Sequence, residues 1–175
     1  MAYVGTVRAY TVSSSDQETF DPLAIHMQPD SAPSRDIEGH VYGYQHEVEV
    51  PLRVEDSAPL QGAQNRTVRF KVVQDETIID WHEFICQPDT PSSLVVTVDW
   101  ELWDEFGNQT VAYLVSLLGA SVVRISTQMP DIVDTEEFPR TRLFSEIELR
   151  FNSITHYAGP TLNKLSRSEW FHKRQ

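Results

Sequence analysis

The hydrophobic and polar positions of the last third of the chain alternate strictly. Residues 146–151 read Glu-Ile-Glu-Leu-Arg-Phe, so every second side chain is apolar. Successive side chains of a strand point to opposite faces, and this period therefore predicts a strand with one buried face and one wet face. We expect this strand to span residues 145–157.

The same period recurs along the chain and predicts about seven strands. They are residues 2–12, 38–54, 67–74, 94–104, 109–118, 121–128 and 145–157, with a further short piece at 162–170. Segment 109–118 is apolar on both faces, so we expect positions 111–118 to pack between the core and either a helix or a neighbouring subunit. Gly107 is free to take positive φ in a turn at 106–108. Prolines predict loops at 13–35 and 129–141.

One segment, residues 75–86, has the period of a helix. Ile78, Trp81 and Ile85 stand at positions i, i+3 and i+7 and predict a buried stripe. Asp75 has the side chain of an N-cap residue. Strands that are separated by turns rather than by helices favour antiparallel pairing. The sequence therefore predicts a mainly β fold, an antiparallel two-sheet β-barrel or sandwich with one flanking α-helix, in a single domain over residues 1–175.

Charge and composition narrow the function. The chain has 26 Asp and Glu against 14 Lys and Arg, a formal net charge of −12. This sign disfavours surfaces for nucleic acid and for anionic membranes. Cys86 is the only cysteine, so no internal disulfide forms. The sequence contains no apolar run of about 18 residues, so it predicts no membrane-spanning helix. The first residues do not resemble a cleaved signal, so we expect a cytoplasmic protein whose export, if any, needs none.

Two groupings of reactive side chains have simpler structural interpretations. His82 and Cys86 are four residues apart on the predicted helix and could form an activated thiolate, but a small core cysteine is the simpler interpretation. Asp99 and Glu101 share one strand face, opposite Trp100. They could be the carboxylates of a glycosidase, but a solvated or lumen-facing stripe is the simpler interpretation.

No metal or cofactor is expected either. An acidic run could hold calcium weakly, but it lacks the glycine and the spacing of an EF-hand. Its members are Asp131, Asp134, Glu136 and Glu137. The six histidines have no close ligand spacing, and one cysteine does not support a structural zinc site. We expect no catalytic residue, no metal site and no cofactor.

The end of the chain resembles the tube proteins of the type VI secretion system, the haemolysin-coregulated proteins (Hcp). That family closes with a strand of the form IELRY-x-x-IT-x-x-Y and a late tryptophan. Here residues 147–151 read Ile-Glu-Leu-Arg-Phe, residues 154–157 read Ile-Thr-His-Tyr, and Trp170 follows. The order of the other elements also follows the family over most of the chain. Two departures, the longer loop at 13–35 and the altered turn at 158–165, leave open a divergent member or the related tail-tube protein of a contractile phage.

The resemblance implies a structural protein and not an enzyme. It implies a two-sheet barrel that forms six-fold rings, stacked into a tube inside a contractile sheath. The implied partners are further copies of the chain, the sheath, baseplate and spike proteins, and effector cargo in the lumen. A secretion tube binds no nucleic acid and does not insert into a membrane. The tube would assemble in the cytoplasm and leave by the injection machine, without a signal peptide.

The resemblance also implies a ring-stacking contact in the extended loop after the second long strand. The equivalent residues here are Arg53, Glu55, Asp56, Leu60 and Gln64. A surface loop that makes no contact stays open as the alternative. A rival function of another class also stays open, namely a monomeric ligand- or carbohydrate-binding β-barrel that uses Trp100 and Trp103.

Overall fold

The computed structural model of the chain describes residues 2–17, 19–23, 37–47, 67–85, 94–103, 105–127, 143–158 and 164–169. These residues form eight strands and two helices. In chain order they are β1 (Ala2–Thr11), α1 (Ser14–Gln17), β2 (Ile37–Gln45), β3 (Thr67–Val73), α2 (Thr77–Ile85), β4 (Leu94–Trp103), β5 (Gln109–Thr127), β6 (Phe144–Arg150), β7 (Ser153–Ala158) and β8 (Lys164–Glu169).

Six of the strands close into an antiparallel barrel. They pair in the order β1–β2–β3–β6–β5–β4, and β4 pairs back to β1. The closing pair runs the full length of both strands, from Ala2 opposite Trp103 to Thr11 opposite Leu94. Closure satisfies the backbone groups that an open sheet would leave at its edges. The mainly β barrel with a helix at its side confirms the fold class expected from the sequence.

Strand β5 is a single strand of 19 residues, where the sequence predicted two. Its first half pairs with β4 on one side and with β7 on the other, and its second half pairs with β6. The strand predicted at 145–157 is instead divided into β6 and β7, which follow each other along one side of β5. Strand β8 pairs with β7. The β7–β8 hairpin is therefore an addition to the six barrel strands.

The junction between the two halves of β5 depends on a glycine. Gly119 lies in the middle of β5 with φ of 60°. A Cβ atom there would lie 2.5 Å from Nδ2 of Asn152, the residue between β6 and β7. The backbone N–H of Asn152 donates a hydrogen bond to the Leu118 carbonyl oxygen at 3.0 Å. Because L side chains rarely adopt this φ, the close approach requires glycine.

Helix α2 packs on the barrel next to β2 and β5. Ile78 and Trp81 are buried in the core as predicted, and the Trp81 ring meets Phe70 edge-on at 5.6 Å between centroids. The prediction for the third stripe residue is wrong, because the Ile85 side chain is 37% exposed and Phe84 packs against the core instead. Successive residues of a helix lie 100° apart around its axis, so Ile78 and Phe84 flank Trp81 and the observed stripe is centred on Trp81.

The start of α2 has the expected cap. The Asp75 carboxylate accepts a hydrogen bond from the Thr77 amide at 2.9 Å and another from the Thr77 hydroxyl. A further expectation is also confirmed, since Gly107 takes φ of 80° in the turn before β5. The second long strand, predicted at 38–54, is described as β2 up to Gln45. His46 and Glu47 follow outside the strand. Residues 48–54 of that prediction, and the loop predicted at 129–141, lie outside the described residues.

A second apolar layer lies on the outside of the barrel. Tyr10, Val12 and Val95 form a separate buried cluster, against which Phe20 and Leu118 pack. The segment that carries Phe20 was predicted to be a loop, but it begins with the short helix α1. Backbone bonds between Asp16 and Gln17 amides and the Ser13 carbonyl, both 3.0 Å, form its first turn.

Candidate interaction surfaces

The outer surface of the barrel is charged where β2, β3, β6 and the second half of β5 lie together. On β3, Arg69 and Lys71 are exposed, while Val68, Phe70 and Val72 point into the core. Strand β6 repeats this pattern in the stretch that alternates strictly in the sequence. We call this outer surface of β2, β3, β6 and residues 121–127 of β5 the charged face.

Opposite charges meet across the strands of the charged face. Arg69 Nε lies 3.2 Å from Glu148 Oε2, and Arg124 is the register partner of Glu148 on the other side. Lys71 stands opposite Glu146. Such exposed cross-strand pairs contribute about 0.2–1 kcal/mol each. They fix strand register and keep this surface hydrated more than they stabilise the fold.

The other half of the barrel is buried on its outer side too. We call the outer surface of β1, β4, the first half of β5 and β7 the covered face. Its buried members are Thr6, Tyr10, Val95, Thr97, Asp99, Leu114, Ser116, Ser153 and Thr155. Positions 114–117 are therefore buried on both sides, as the doubly apolar pattern predicted. The burial occurs within the single chain, so a neighbouring subunit is not needed to explain it.

Asp99 is the one fully buried carboxylate among the described residues, and its position corrects the sequence interpretation. It was expected in a solvated stripe, but its exposure is 0%. Arg8 Nη1 of the adjacent strand donates to Asp99 Oδ1 at 2.5 Å, and Arg8 Nε lies 3.9 Å from Glu38. A buried carboxylate requires such a partner. Because it is buried and ion-paired, Asp99 does not form a glycosidase pair with the half-buried Glu101.

An aromatic and histidine cluster lies where β2, β4, β5 and β7 come together. Trp100 lies 5.0 Å from Tyr44 and 5.4 Å from Tyr113, as ring centroids. Its ring thus packs against the core and is not a free platform for a sugar. The other tryptophan of the carbohydrate-binding alternative, Trp103, has a side chain outside the described set. The Tyr113 hydroxyl forms a hydrogen bond with Nδ1 of His156.

Two histidines complete this cluster. The His46 and His156 rings are stacked, with centroids 5.9 Å apart and planes 23° from parallel. Phe151 meets His46 on another side, at 5.7 Å. The sequence analysis missed this pair, because the two residues are far apart in the chain. The available signal was positional, since His46 follows Tyr44 by two residues, and side chains two apart in an extended segment point to the same side.

Burial controls the ionisation of the cluster. It raises the pKa of Tyr44 above its ordinary value, and the neighbouring Tyr113 adds to this effect. Burial also raises the pKa of Tyr113. Burial lowers the pKa of His156, and His46 lowers it further. At neutral pH the two tyrosines and His156 are therefore uncharged.

The remaining predicted sites divide between exposed and undescribed positions. His82 is exposed on α2, while Cys86 lies outside the described residues. The acidic run also lies outside the described residues, with its members Asp131, Asp134, Glu136 and Glu137. The same holds for the expected ring-stacking residues, which are Arg53, Glu55, Asp56, Leu60 and Gln64. Within the described ranges, no three His, Cys, Asp or Glu side chains are grouped to hold a metal ion. Neither described helix is long and apolar enough to cross a membrane.

No protein-family model and no curated protein matches the sequence. Solved structures do match the fold. A crystal structure of an Hcp protein superposes with a TM-score of 0.69 at 13% identity, covering 98% of this chain and 99% of that one. The secreted protein Hcp3 from Pseudomonas aeruginosa gives 0.62 at 14% identity, with 98% and 100% covered. A chain of the anti-feeding prophage baseplate gives 0.50 at 11% identity, with 90% and 95% covered.

These matches span both chains almost from end to end. The protein therefore has the Hcp fold, as the resemblance of the terminal strand implied. At identities of 13% and 14%, these superpositions show the shared fold alone.

Proposed function

We propose that this protein is the structural tube subunit of a contractile injection apparatus, the inner tube of a type VI secretion system. The observation that carries the proposal is the match to an Hcp structure over 98% of this chain and 99% of the other. The conduit is structural, and no described residue is assigned a catalytic role.

In this proposal the subunits form rings, hexameric as in the implied family, and the rings stack into a tube. The barrel supports such assembly because its closed strands expose no edge for uncontrolled pairing. A contact between two different surfaces of neighbouring subunits generates a ring when the rotation closes. Arg53, Glu55, Asp56, Leu60 and Gln64 remain the proposed ring-stacking residues. Sheath, baseplate and spike proteins are the proposed machine partners, and effectors are the proposed cargo.

Light scattering on the purified full-length chain tests ring formation directly. A hexamer has a mass of about 120 kDa, six times the 20.1 kDa of one chain. Negative-stain images should show rings or stacked tubes in the same sample. A monomer at every concentration, without rings in the images, would contradict the proposed self-assembly. Binding of that monomer to a glycan panel would instead support the carbohydrate-binding barrel.

A contractile-phage tail-tube protein is the second candidate, because it shares the fold and differs in context. The similarity to a chain of the anti-feeding prophage baseplate, at a TM-score of 0.50, favours keeping it. A secretion tube should appear in the medium of intact cells, together with its spike protein. A particle component should appear when cells lyse, together with a cytosolic marker enzyme. Measuring both proteins in the same culture medium separates the two functions.

A further inference from the structure

The charged face is locally basic, although the chain as a whole is strongly acidic. Strands β3 and β6 and residues 121–127 of β5 carry four Arg and Lys residues against two Glu residues, a local charge of +2. The basic residues are Arg69, Lys71, Arg124 and Arg150, and the acidic ones are Glu146 and Glu148. The formal net charge of the whole chain is −12. This face therefore repels an acidic protein surface less than the net charge suggests.

An aromatic pair lies on the charged face close to Lys71. The Tyr42 ring of β2 meets the Phe144 ring of β6 edge-on, with centroids 5.1 Å apart, and the two residues are 47% and 36% exposed. Phe144 is the register partner of Val73, and Lys71 comes two residues before Val73, so its side chain leaves the sheet on the same side. We call Tyr42, Lys71 and Phe144 the aromatic patch. Exposed aromatic rings beside a charge are typical of surfaces that bind another protein.

Helix α2 presents the complementary chemistry on its outer side. Residues 75–85 include four acidic residues and neither Lys nor Arg. Glu76, Ile79 and Glu83 are all exposed, and the exposed fraction of Ile79 is 60%. Spacings of three and four residues bring these side chains to one side of the helix. This side, which we call the acidic stripe, therefore has an apolar side chain between two carboxylates.

The acidic stripe and the aromatic patch lie on different sides of the subunit. Trp81, on the other side of α2 from Ile79, meets the Phe70 ring, which points into the core. Lys71 is the next residue of β3 and is exposed on the outside of the barrel. The helix therefore packs on the inner side of β3 and leaves the aromatic patch uncovered. Contact between the stripe and the patch requires a second copy of the chain.

We propose that the acidic stripe of one copy docks on the aromatic patch of the next, with Ile79 against the exposed rings and the stripe carboxylates beside Lys71. Opposite charges orient the two surfaces, and the apolar groups at the centre exclude water. Because the two surfaces differ, the contact is heterologous and continues from copy to copy until a ring closes. The contact rests on the proposed function, since it joins the subunits of the proposed ring.

Charge reversal on each surface of the full-length chain tests the contact. Lys71→Glu and Glu83→Lys change exposed side chains, and urea denaturation checks that both variants fold. Each should raise the chain concentration at half-assembly, measured by light scattering, at least tenfold, because like charges then face each other across the contact. Glu83→Lys also makes the chain less acidic, which by itself favours association of an acidic protein. Its loss of assembly is therefore opposite in sign to the effect of net charge.

The matched control is Glu105→Lys, which makes the same change of charge in the exposed turn between β4 and β5. It should assemble at the parent's concentration or below it. If Lys71→Glu does not fold, Phe144→Ser replaces it, because it keeps the charge of the patch and removes an exposed ring. Phe144→Ser should also raise the concentration at half-assembly at least tenfold, and unchanged assembly would overturn the contact.

Mixing the two charge variants tests the pairing itself. In an equimolar mixture of Lys71→Glu and Glu83→Lys, contacts between unlike chains again join opposite charges, so the mixture should recover assemblies that neither variant forms alone. A mixture that recovers none would overturn the contact, and so would parent-like assembly of both single variants. In either case an assembling parent protein leaves the proposed function standing. A parent that stays a 20.1 kDa monomer at every concentration would overturn both the contact and the proposed self-assembly.

Discussion

The charged face and the covered face of one barrel use the same strand geometry with opposite outcomes. On the charged face, β6 alternates between core residues such as Ile147 and Leu149 and acidic residues on the outside. On the covered face, β4 is buried at six consecutive positions, 94–99, so it shows no alternation. The burial pattern of a strand shows how many of its faces are dry, and only the charged half has one wet face.

An ion pair on each face makes the difference quantitative. Arg69 and Glu148 on the charged face have side chains that are 48% and 16% exposed, and their Nε–Oε2 distance is 3.2 Å. Arg8 and Asp99 on the covered face are 20% and 0% exposed. Breaking the first pair costs the fold little stability, because water replaces each partner. Breaking the second pair costs more, because it leaves an unpaired charge buried away from water.

The largest expected effect is at Leu117, whose side chain lies in the core behind the covered face at 0% exposure. Leu117→Glu should abolish folding or ring assembly, at a cost above about 4 kcal/mol, because it buries an unpaired carboxylate. Val123→Glu, at a position of β5 that is 46% exposed, is the matched control and should stay within about 0.5 kcal/mol. Urea denaturation and gel filtration measure both. A soluble, ring-forming Leu117→Glu protein would contradict the double burial of β5.

The next effect is at the buried ion pair. Asp99→Asn keeps the size of the side chain but removes the charge that Arg8 needs. We expect a loss of about 2–3 kcal/mol in the free energy of unfolding, below the value for a fully dry pair because Arg8 is 20% exposed. Thermal and urea unfolding at pH 7.5 measure it. An unchanged stability would mean that the covered face is wetter than the burial of Asp99 indicates.

The sequence predicted the features that depend on neighbouring residues. The alternation at 146–151, the Asp75 cap and the positive φ of Gly107 are all local, and all were confirmed. The burial of Asp99 was missed because its partner Arg8 is 91 residues away in the chain. The continuity of β5 was missed for a similar reason, since a glycine in mid-strand normally weakens a strand. Here its position is explained by Asn152 of another segment, which no local pattern reveals.

Gly119 lies where β5 passes from the covered face to the charged face, so it tests whether the junction is specific. Gly119→Ala should cost about 1–3 kcal/mol, because φ of 60° is strained for alanine and its Cβ would meet Asn152 Nδ2 at 2.5 Å. Gly39→Ala on β2 is the matched control, since no atom lies within 4 Å of its added Cβ. It should stay within about 0.5 kcal/mol of the parent. Equal losses in the two variants would show that the junction imposes no special conformation.

The smallest expected effect is the coupling between Arg69 and Glu148, measured by a double-mutant cycle of Arg69→Ala and Glu148→Ala. We expect a coupling energy of about 0.2–1 kcal/mol at low salt. The two charged groups are 3.2 Å apart, but both side chains remain accessible to water. This coupling should fade in 1 M NaCl, where the screening length is about 3 Å. The same cycle with Arg8→Ala and Asp99→Ala should keep most of its coupling in high salt, since ions do not enter the buried site. If both couplings faded alike, the two faces would differ in sequence pattern but not in their access to solvent.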